Sequence, residues 1–140
     1  MTVRLLPDTL LLCVEAVRAH ADVQALCAQR VWTRIPADPT WPLVTLERVG
    51  GTTVRPEHID RPQIQYAAWG DLDDPDAEPA TGLLARTVQA VLHEQSGTDH
   101  SPDGVICDVT DVLSPFWLPD TDSQPARPRW MGQVAVTVHV

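Results

Sequence analysis

The last eight residues of the chain alternate between valine and other residues, and this pattern constrains the fold more than any other feature. Val134, Val136, Val138 and Val140 occupy every second position. Because successive side chains of a β-strand point to opposite faces, the alternation predicts a strand with one buried face. Similar patterns predict strands at residues 43–49, 63–69 and 104–112, and a weaker one predicts a strand at 31–35.

The strand predicted at residues 104–112 carries a specific expectation about its two faces. Strict alternation places Val105, Cys107 and Val109 on one face of that strand. The chain has three cysteines, Cys13 and Cys27 being the others, and all three lie within apolar patterns. An odd number argues against a disulfide framework, so we expect three buried free thiols.

Apolar residues at helical spacing predict helices elsewhere in the chain. Leu6, Leu10, Val14 and Val17 predict a helix over residues 7–20, after which a short helical turn at 21–28 has Asp22 as its expected N-cap. The stripe of the second main helix, predicted over residues 79–94, consists of Leu84, Val88, Val91 and Leu92.

The order of these elements predicts the fold class. Runs of strands separated by single helices favour an α+β protein with a mainly antiparallel sheet and two main helices packed on one face. A length of 140 residues is typical of one domain, which we expect to span residues 1–140. The opposite face of the sheet is expected to be half polar and free for water or for another subunit. Its predicted polar residues are Gln63, Gln65, Asp108, Thr110, Gln133 and Thr137.

The charge of the chain disfavours direct binding of nucleic acid. The formal net charge is −9, and the 10 basic residues are all arginines, scattered from Arg4 to Arg129. Binding to phosphate backbones requires clustered cations, which this sequence lacks. No apolar run approaches the roughly 20 residues that span a bilayer, and the first residues lack a signal-peptide pattern. We therefore expect no membrane partner and an intracellular place of assembly.

Motifs for catalysis are absent from the sequence. It has no P-loop, dinucleotide-binding fingerprint, nucleophile elbow or paired-histidine zinc helix. His93, His100 and Cys107 match no zinc spacing. An acidic segment within residues 70–79 is either a solvated loop or a weak site for a divalent cation, although it lacks the pattern of a calcium-binding loop. Its acids are Asp71, Asp73, Asp74 and Asp76. We expect no enzymatic activity, catalytic residue, metal or cofactor.

Three segments are the best candidates for contacts with other proteins. Residues 50–61, predicted as a long loop, contain Arg55, His58 and Arg61, which can pair with acids of a neighbour. The acidic segment with Asp71, Asp73, Asp74 and Asp76 is the second candidate. The third lies in a predicted loop at residues 114–128, where Phe116 and Trp117 adjoin prolines. Trp41 also adjoins a proline, whereas Trp69 and Trp130 lie in strand-like segments and are expected in the core.

Taken in order, the segments of this chain resemble the tail terminator, or tail-completion, proteins of long-tailed bacteriophages. The resemblance covers nearly the whole chain and depends on the order and character of its segments. They are DVQALCAQRVWTRIPADPTWPLVTLERVGG, PEHIDRPQIQYAAWGD, LLARTVQAVLHE, GVICDVTDVLSPFWLPD and RPRWMGQVAVTVHV. The segment LDDPDAEPA is more acidic than the resemblance leads us to expect.

The resemblance implies a structural role in a virion. Such proteins form a homo-oligomeric ring, usually a hexamer, that caps the finished tail tube and offers a surface to the head connector or stopper protein. The ring would be assembled in the host cytoplasm and lie at the head-proximal end of the tail, with DNA passing through it without specific binding. Two alternatives are another connector component, such as a stopper or minor tail protein, and a generic protein-interaction module.

Overall fold

The structure is a computed structural model that describes residues 2–56 and 58–140. Within these residues the chain forms three helices and six strands. They are α1 (Thr9–Ala19), α2 (Ala21–Cys27), β1 (Val31–Trp32), β2 (Leu43–Arg55), β3 (Ile59–Trp69), α3 (Ala77–Glu94), β4 (Thr98–Asp99), β5 (Val105–Trp117) and β6 (Arg129–His139). Every predicted helix and strand is present, and only the two-residue strand β4 was not predicted.

The helices begin near the predicted residues, but one of their caps differs from the prediction. The Asp8 carboxylate accepts a hydrogen bond from the Leu11 amide at 3.1 Å, which satisfies a free donor at the start of α1. At the start of α2, the His20 ring instead accepts the Asp22 amide, so the prediction of Asp22 as the cap is wrong. Helix α3 begins at Ala77, and Pro79 is tolerated in its first turn because no helical partner exists for an amide there.

The strands form one mainly antiparallel sheet in the order β1-β2-β3-β6-β5-β4. Only the short strand β1 is parallel to its neighbour β2. The predicted α+β class and mainly antiparallel sheet therefore agree with the structure. Strand β6, identified from the valine alternation, pairs with both β3 and β5 at the centre of the sheet. No helix in the described residues is long and apolar enough to span a membrane.

The core is one hydrophobic cluster formed by helices and strands together. It contains Val14 and Val17 of α1, Val23 of α2, and Val88 with Leu92 of α3. Alternate residues of the strands complete it, as the periodicity predicted: Val44, Leu46, Ile64, Tyr66, Ala68, Val134, Val136 and Val138. This burial provides most of the favourable free energy for folding.

Strand β5 departs from strict alternation because its pairing with β6 contains irregularities. The register shifts between Ile106 and Asp108, and Ile106 and Val109 are both buried. Cys107 lies at this shift and is exposed, so the predicted grouping of Cys107 with Val109 on one face is wrong. The prediction of buried thiols is confirmed for Cys13 and Cys27 only. Burial raises the pKa of the Cys13 thiol to about 12, which keeps it protonated at neutral pH.

Tyr66 of β3 is paired with Gly132 of β6. The Tyr66 ring is fully buried and covers the backbone of Gly132. A side chain at position 132 would collide with the phenol oxygen and ring of Tyr66. Glycine is therefore needed at this position for the close approach of the ring.

The other face of the sheet carries polar side chains that are linked across three strands. Gln65 of β3 donates a hydrogen bond to Glu47 of β2 at 3.2 Å, and Gln133 of β6 donates one to Gln65 at 3.1 Å. Asp108 and Thr137 are also paired in register, so they share a face of the sheet. A shallow groove of about 390 Å³ on the sheet is lined by residues that include Arg61, Gln63 and Thr110.

Candidate interaction surfaces

The segment 50–61 is a β-hairpin, and the prediction of a long loop there is wrong. Strand β2 continues to Arg55, and Gly51 pairs with Pro62 while Thr53 pairs with Asp60. The register shifts between Arg48 and Gly50 and between Thr53 and Arg55. Such irregularities accommodate Gly50 and Gly51 without ending the strand. The paired glycines that suggested a loop in the sequence therefore mark irregularities within a strand.

Two of the predicted interface residues lie at the tip of this hairpin. Arg55 and His58 are both exposed, and the His58 amide donates a hydrogen bond to the Arg55 carbonyl at 3.1 Å. Arg61 is exposed on β3, opposite Thr52. Among the described residues, neither Arg55 nor Arg61 forms an ion pair.

An ion pair between a buried carboxylate and a partly exposed arginine, which the sequence did not reveal, links β2 and β3 beside the hairpin. The Asp60 side chain is 2% exposed, and both of its oxygens accept hydrogen bonds from Arg48, at 2.9 and 3.3 Å. The same carboxylate accepts the Arg61 amide at 3.0 Å. A buried carboxylate requires such partners because desolvation of an unpaired charge is costly. We call this region of the sheet the hairpin end.

The acidic segment lies at the opposite end of β3 from the hairpin. Strand β3 has 11 residues, and at about 3.4 Å per residue its ends are separated by a distance of roughly 34 Å. The structure therefore does not bring Arg55 and His58 together with the acids of the same chain. Pairing between the two sets requires a second copy or another protein.

Two of the four acids fix the shape of their own loop. The Asp71 carboxylate accepts the Asp73 amide at 2.9 Å, and the Asp74 carboxylate accepts the Asp76 amide at 2.8 Å. These are local turns of the kind that aspartate favours, and they lead directly into α3. In the described part of the chain, no group of three or more His, Cys, Asp or Glu residues is arranged to hold a metal ion.

Phe116 and Trp117 belong to β5, so the prediction that they lie in a loop is wrong. Phe116 pairs with Met131 and Trp117 pairs with Trp130. Pro115 is tolerated here because the outer side of β5 has no partner strand among the described residues at this point, so no amide hydrogen is needed. Both aromatic side chains remain substantially exposed.

The four tryptophans noted in the sequence meet at one end of the sheet in two pairs. The ring centroids of Trp117 and Trp130 are 5.9 Å apart and those of Trp41 and Trp69 are 6.3 Å apart. The Trp130 indole also donates a hydrogen bond to the Glu78 carbonyl at 3.0 Å, which ties β6 to α3. We call this region, which adjoins the acidic segment, the tryptophan end.

Two arginines that sequence reasoning did not single out complete the tryptophan end. The Arg127 guanidinium lies 3.8 Å from the centroid of Trp41, and that of Arg129 lies 5.0 Å from Trp69. Arg127 also donates to the Gly70 carbonyl at 3.2 Å, and Arg129 donates to the Leu118 carbonyl at 2.8 Å. The strand order and the register bring these arginines and tryptophans together. Neither the strand order nor the register can be deduced from the sequence alone.

The histidines considered as zinc ligands have other partners. His93 lies 2.9 Å from the Asp111 carboxylate, whereas His100 lies 2.8 Å from the Thr98 hydroxyl. Burial alone would raise the pKa of Asp111, but hydrogen bonds from His93 and Gln89, with the charge of His93, outweigh it and lower the pKa below its ordinary value. The contact of His93 with Asp111 joins α3 to β5, whereas that of His100 with Thr98 is local to β4.

Comparison with known proteins gives a fold relationship. No known protein family matches the chain, and no curated protein matches it. A chain of the solved structure titled "Virion of native gene transfer agent (GTA) particle" has a similar fold, with a TM-score of 0.67 and 14% sequence identity. The likeness covers 91% of this chain and 92% of that chain. The likeness therefore extends over nearly the whole length of both chains.

Proposed function

We propose that this protein is a structural component of a phage-like virion, in which it forms a ring that caps the tail tube and joins the tail to the head connector. The observation that carries the proposal is the fold likeness to a chain of a gene transfer agent virion over 91% of the length. The sequence resemblance to tail terminator proteins supports the same role from separate evidence. The tail-capping position, the hexameric ring and the head-proximal location in the virion are parts of this proposal.

The arrangement of polar and apolar surfaces supports an assembly role. We propose that the helices cover one face of the sheet, because residues of all three helices join alternate strand residues in one core cluster. The linked polar face with Glu47, Gln65 and Gln133 then faces outward. A single domain built in this way presents a sheet face, two edges and a hairpin to its neighbours. It would act by binding them, without catalysing a reaction.

The partners in this proposal are other copies of the chain, the tail tube protein and the head connector or stopper protein. A closed ring requires two different complementary patches on each subunit. Arg55 and Arg61 near the hairpin tip are cations, whereas the acidic segment at the opposite end of β3 carries negative charge. The acids Asp71, Asp73, Asp74 and Asp76 are proposed to lie near the lumen or rim, where they repel DNA and keep it sliding.

Electron microscopy of the purified full-length chain tests the proposed function. The chain is imaged alone and after mixing with assembled tail tubes, with tubes alone as the control. We expect a ring-shaped density at one end of each tube. Absence of rings in both samples, or binding along the sides of the tubes, would contradict tail capping.

A further inference from the structure

The sheet has two long outer edges without a partner strand. Strand β1 covers β2 only at Val44 and Thr45, and β4 covers β5 only at Val105 and Ile106. Residues 46–55, the β2 edge, and residues 107–117, the β5 edge, therefore pair with no outer strand in the described chain. Unpaired edges of this length are unusual because their free backbone groups invite pairing with another strand.

The β5 edge also exposes an unusual number of large apolar side chains. Five of the seven residues from Val112 to Leu118 are large hydrophobic residues with 37–44% of their surface exposed. They are Val112, Leu113, Phe116, Trp117 and Leu118. Contiguous exposed apolar residues of this kind mark binding surfaces. The β2 edge contributes exposed Val49 and Val54.

The two edges carry complementary charge. Strand β5 contains Asp108 and Asp111 and no cation, whereas β2 contains two cations, Arg48 and Arg55, and one acid, Glu47. Two of these groups are already engaged, because Asp111 is held by His93 and Arg48 by Asp60. Arg55 and Asp108 are both exposed, and neither forms an ion pair with another described residue.

We infer that the β5 edge of one copy pairs with the β2 edge of the next copy, which joins the sheets of neighbouring subunits into one continuous sheet. This inference depends on the proposed ring and specifies its contact. Opposite edges of one subunit give a head-to-tail contact, which closes into a ring when the rotation permits. Strands β2, β3, β6 and β5 alternate in direction, so β2 and β5 run oppositely and the joint between copies is antiparallel.

A pair of edge variants and a matched control test this inference. Leu113→Asp places a charge on the β5 edge, and Val54→Asp does the same on the β2 edge. Leu83→Asp on α3 is the control, because Leu83 and Leu113 are 45% and 44% exposed. Assembly of the full-length variants, alone and with tail tubes, is measured by sedimentation velocity and native mass spectrometry, and folding by thermal unfolding.

Each edge variant is expected to reduce ring formation about tenfold or more, while the control assembles like the original chain. A mixture of the two edge variants supplies the decisive result. Each retains one intact edge, so the mixture forms heterodimers that cannot grow further. If an aspartate variant does not fold, Val112→Lys and Val49→Lys replace it, since exposed edge strands tolerate lysine.

The outcomes separate the edge contact from the proposed function. Rings formed by both edge variants, or folded edge variants whose mixture contains no heterodimer, overturn the edge contact while leaving tail capping intact. Failure of the original chain to assemble, both alone and on tail tubes, overturns the ring itself. Loss of assembly in the Leu83→Asp control would also count against a contact confined to the edges.

Discussion

The tryptophan end and the hairpin end of the sheet are stabilised by different interactions. At the tryptophan end, Trp117 and Trp130 pack together, and Arg127 and Arg129 stack on other rings. At the hairpin end, the ion pair between Arg48 and Asp60 supports a tip whose side chains are exposed. The difference indicates that aromatic packing stabilises the first end, whereas the second has exposed charged side chains.

Among the substitutions proposed, the largest loss of stability is expected at the tryptophan end. Trp130→Ala removes the contact with Trp117 and the hydrogen bond to Glu78, and we expect the free energy of unfolding to fall by about 3 kcal/mol. Trp32→Ala, at an exposed edge position near Arg18, should cost only about 1 kcal/mol. Chemical denaturation of both variants measures the difference. Equal losses would mean that the tryptophan end has no special role in stability.

The second-largest loss of stability is expected at the hairpin end, on removal of the Arg48 side chain. Arg48→Ala leaves the buried Asp60 carboxylate without its ion-pair partner and should cost about 2–3 kcal/mol, since removal of one partner exposes the full desolvation cost. Adding Asp60→Asn to Arg48→Met removes both charges and keeps an acceptor for the Arg61 amide, so most of the stability should return. If the double variant were as unstable as Arg48→Ala, the unpaired charge of Asp60 would not be the cause of the lost stability.

A charge reversal at the hairpin tip should affect assembly without affecting stability. Arg55→Glu is expected to change the free energy of unfolding by less than about 0.5 kcal/mol and to weaken ring formation several-fold. Arg86→Glu, at an exposed position on α3, is the control. Adding Asp108→Arg to Arg55→Glu should restore assembly, as measured by native mass spectrometry. An unaffected ring in Arg55→Glu would refute the role of this arginine.

Neutralising the acidic segment beside the tryptophan end should change DNA passage more than folding. Asn at positions 71 and 74 retains an oxygen that accepts the same amide, and Ser at positions 73 and 76 removes the remaining charges. Because phosphate is then repelled less strongly, DNA ejection should slow in particles that carry this variant. Unchanged assembly and unchanged ejection would contradict a position near the lumen.

The smallest effect is expected between the two ends, at the contact of Asp111 with His93. The lowered pKa of Asp111 means that its contribution to stability is present above the ordinary aspartate pKa of about 3.9 and is lost as pH falls through the folded-state pKa. Asp111→Asn should therefore be less stable than the original chain at neutral pH and equal to it in acid. Thermal unfolding of both proteins across a range of pH measures this difference in stability. A difference that persists in strong acid would show that it does not arise from the charge of Asp111.

Hydrophobic periodicity predicted the positions of the helices and strands. It did not predict that strands β2 and β5 continue through residues that usually end a strand. The glycines at positions 50 and 51 and Pro115 predicted loops, yet register shifts and an unpaired outer edge accommodate them within β2 and β5. Charge and aromatic content predict Arg55, Phe116 and Trp117 as contact residues, and all three side chains are exposed. The clustering of the tryptophans depends on the pairing of β3 with β6, in which Trp69 lies opposite Arg129, 60 positions further along the chain (129 − 69). Pairing over such a distance leaves no local signal in the sequence.

The buried ring of Tyr66 above Gly132 has a consequence for how the two central strands find their alignment. A slip of two residues would keep apolar side chains inward and polar ones outward, so alternation alone tolerates it. After such a slip the phenol would meet Trp130 or Val134 in place of the bare backbone of Gly132. The absence of a side chain at Gly132 therefore selects one register of β3 against β6 from several that would bury the same apolar residues.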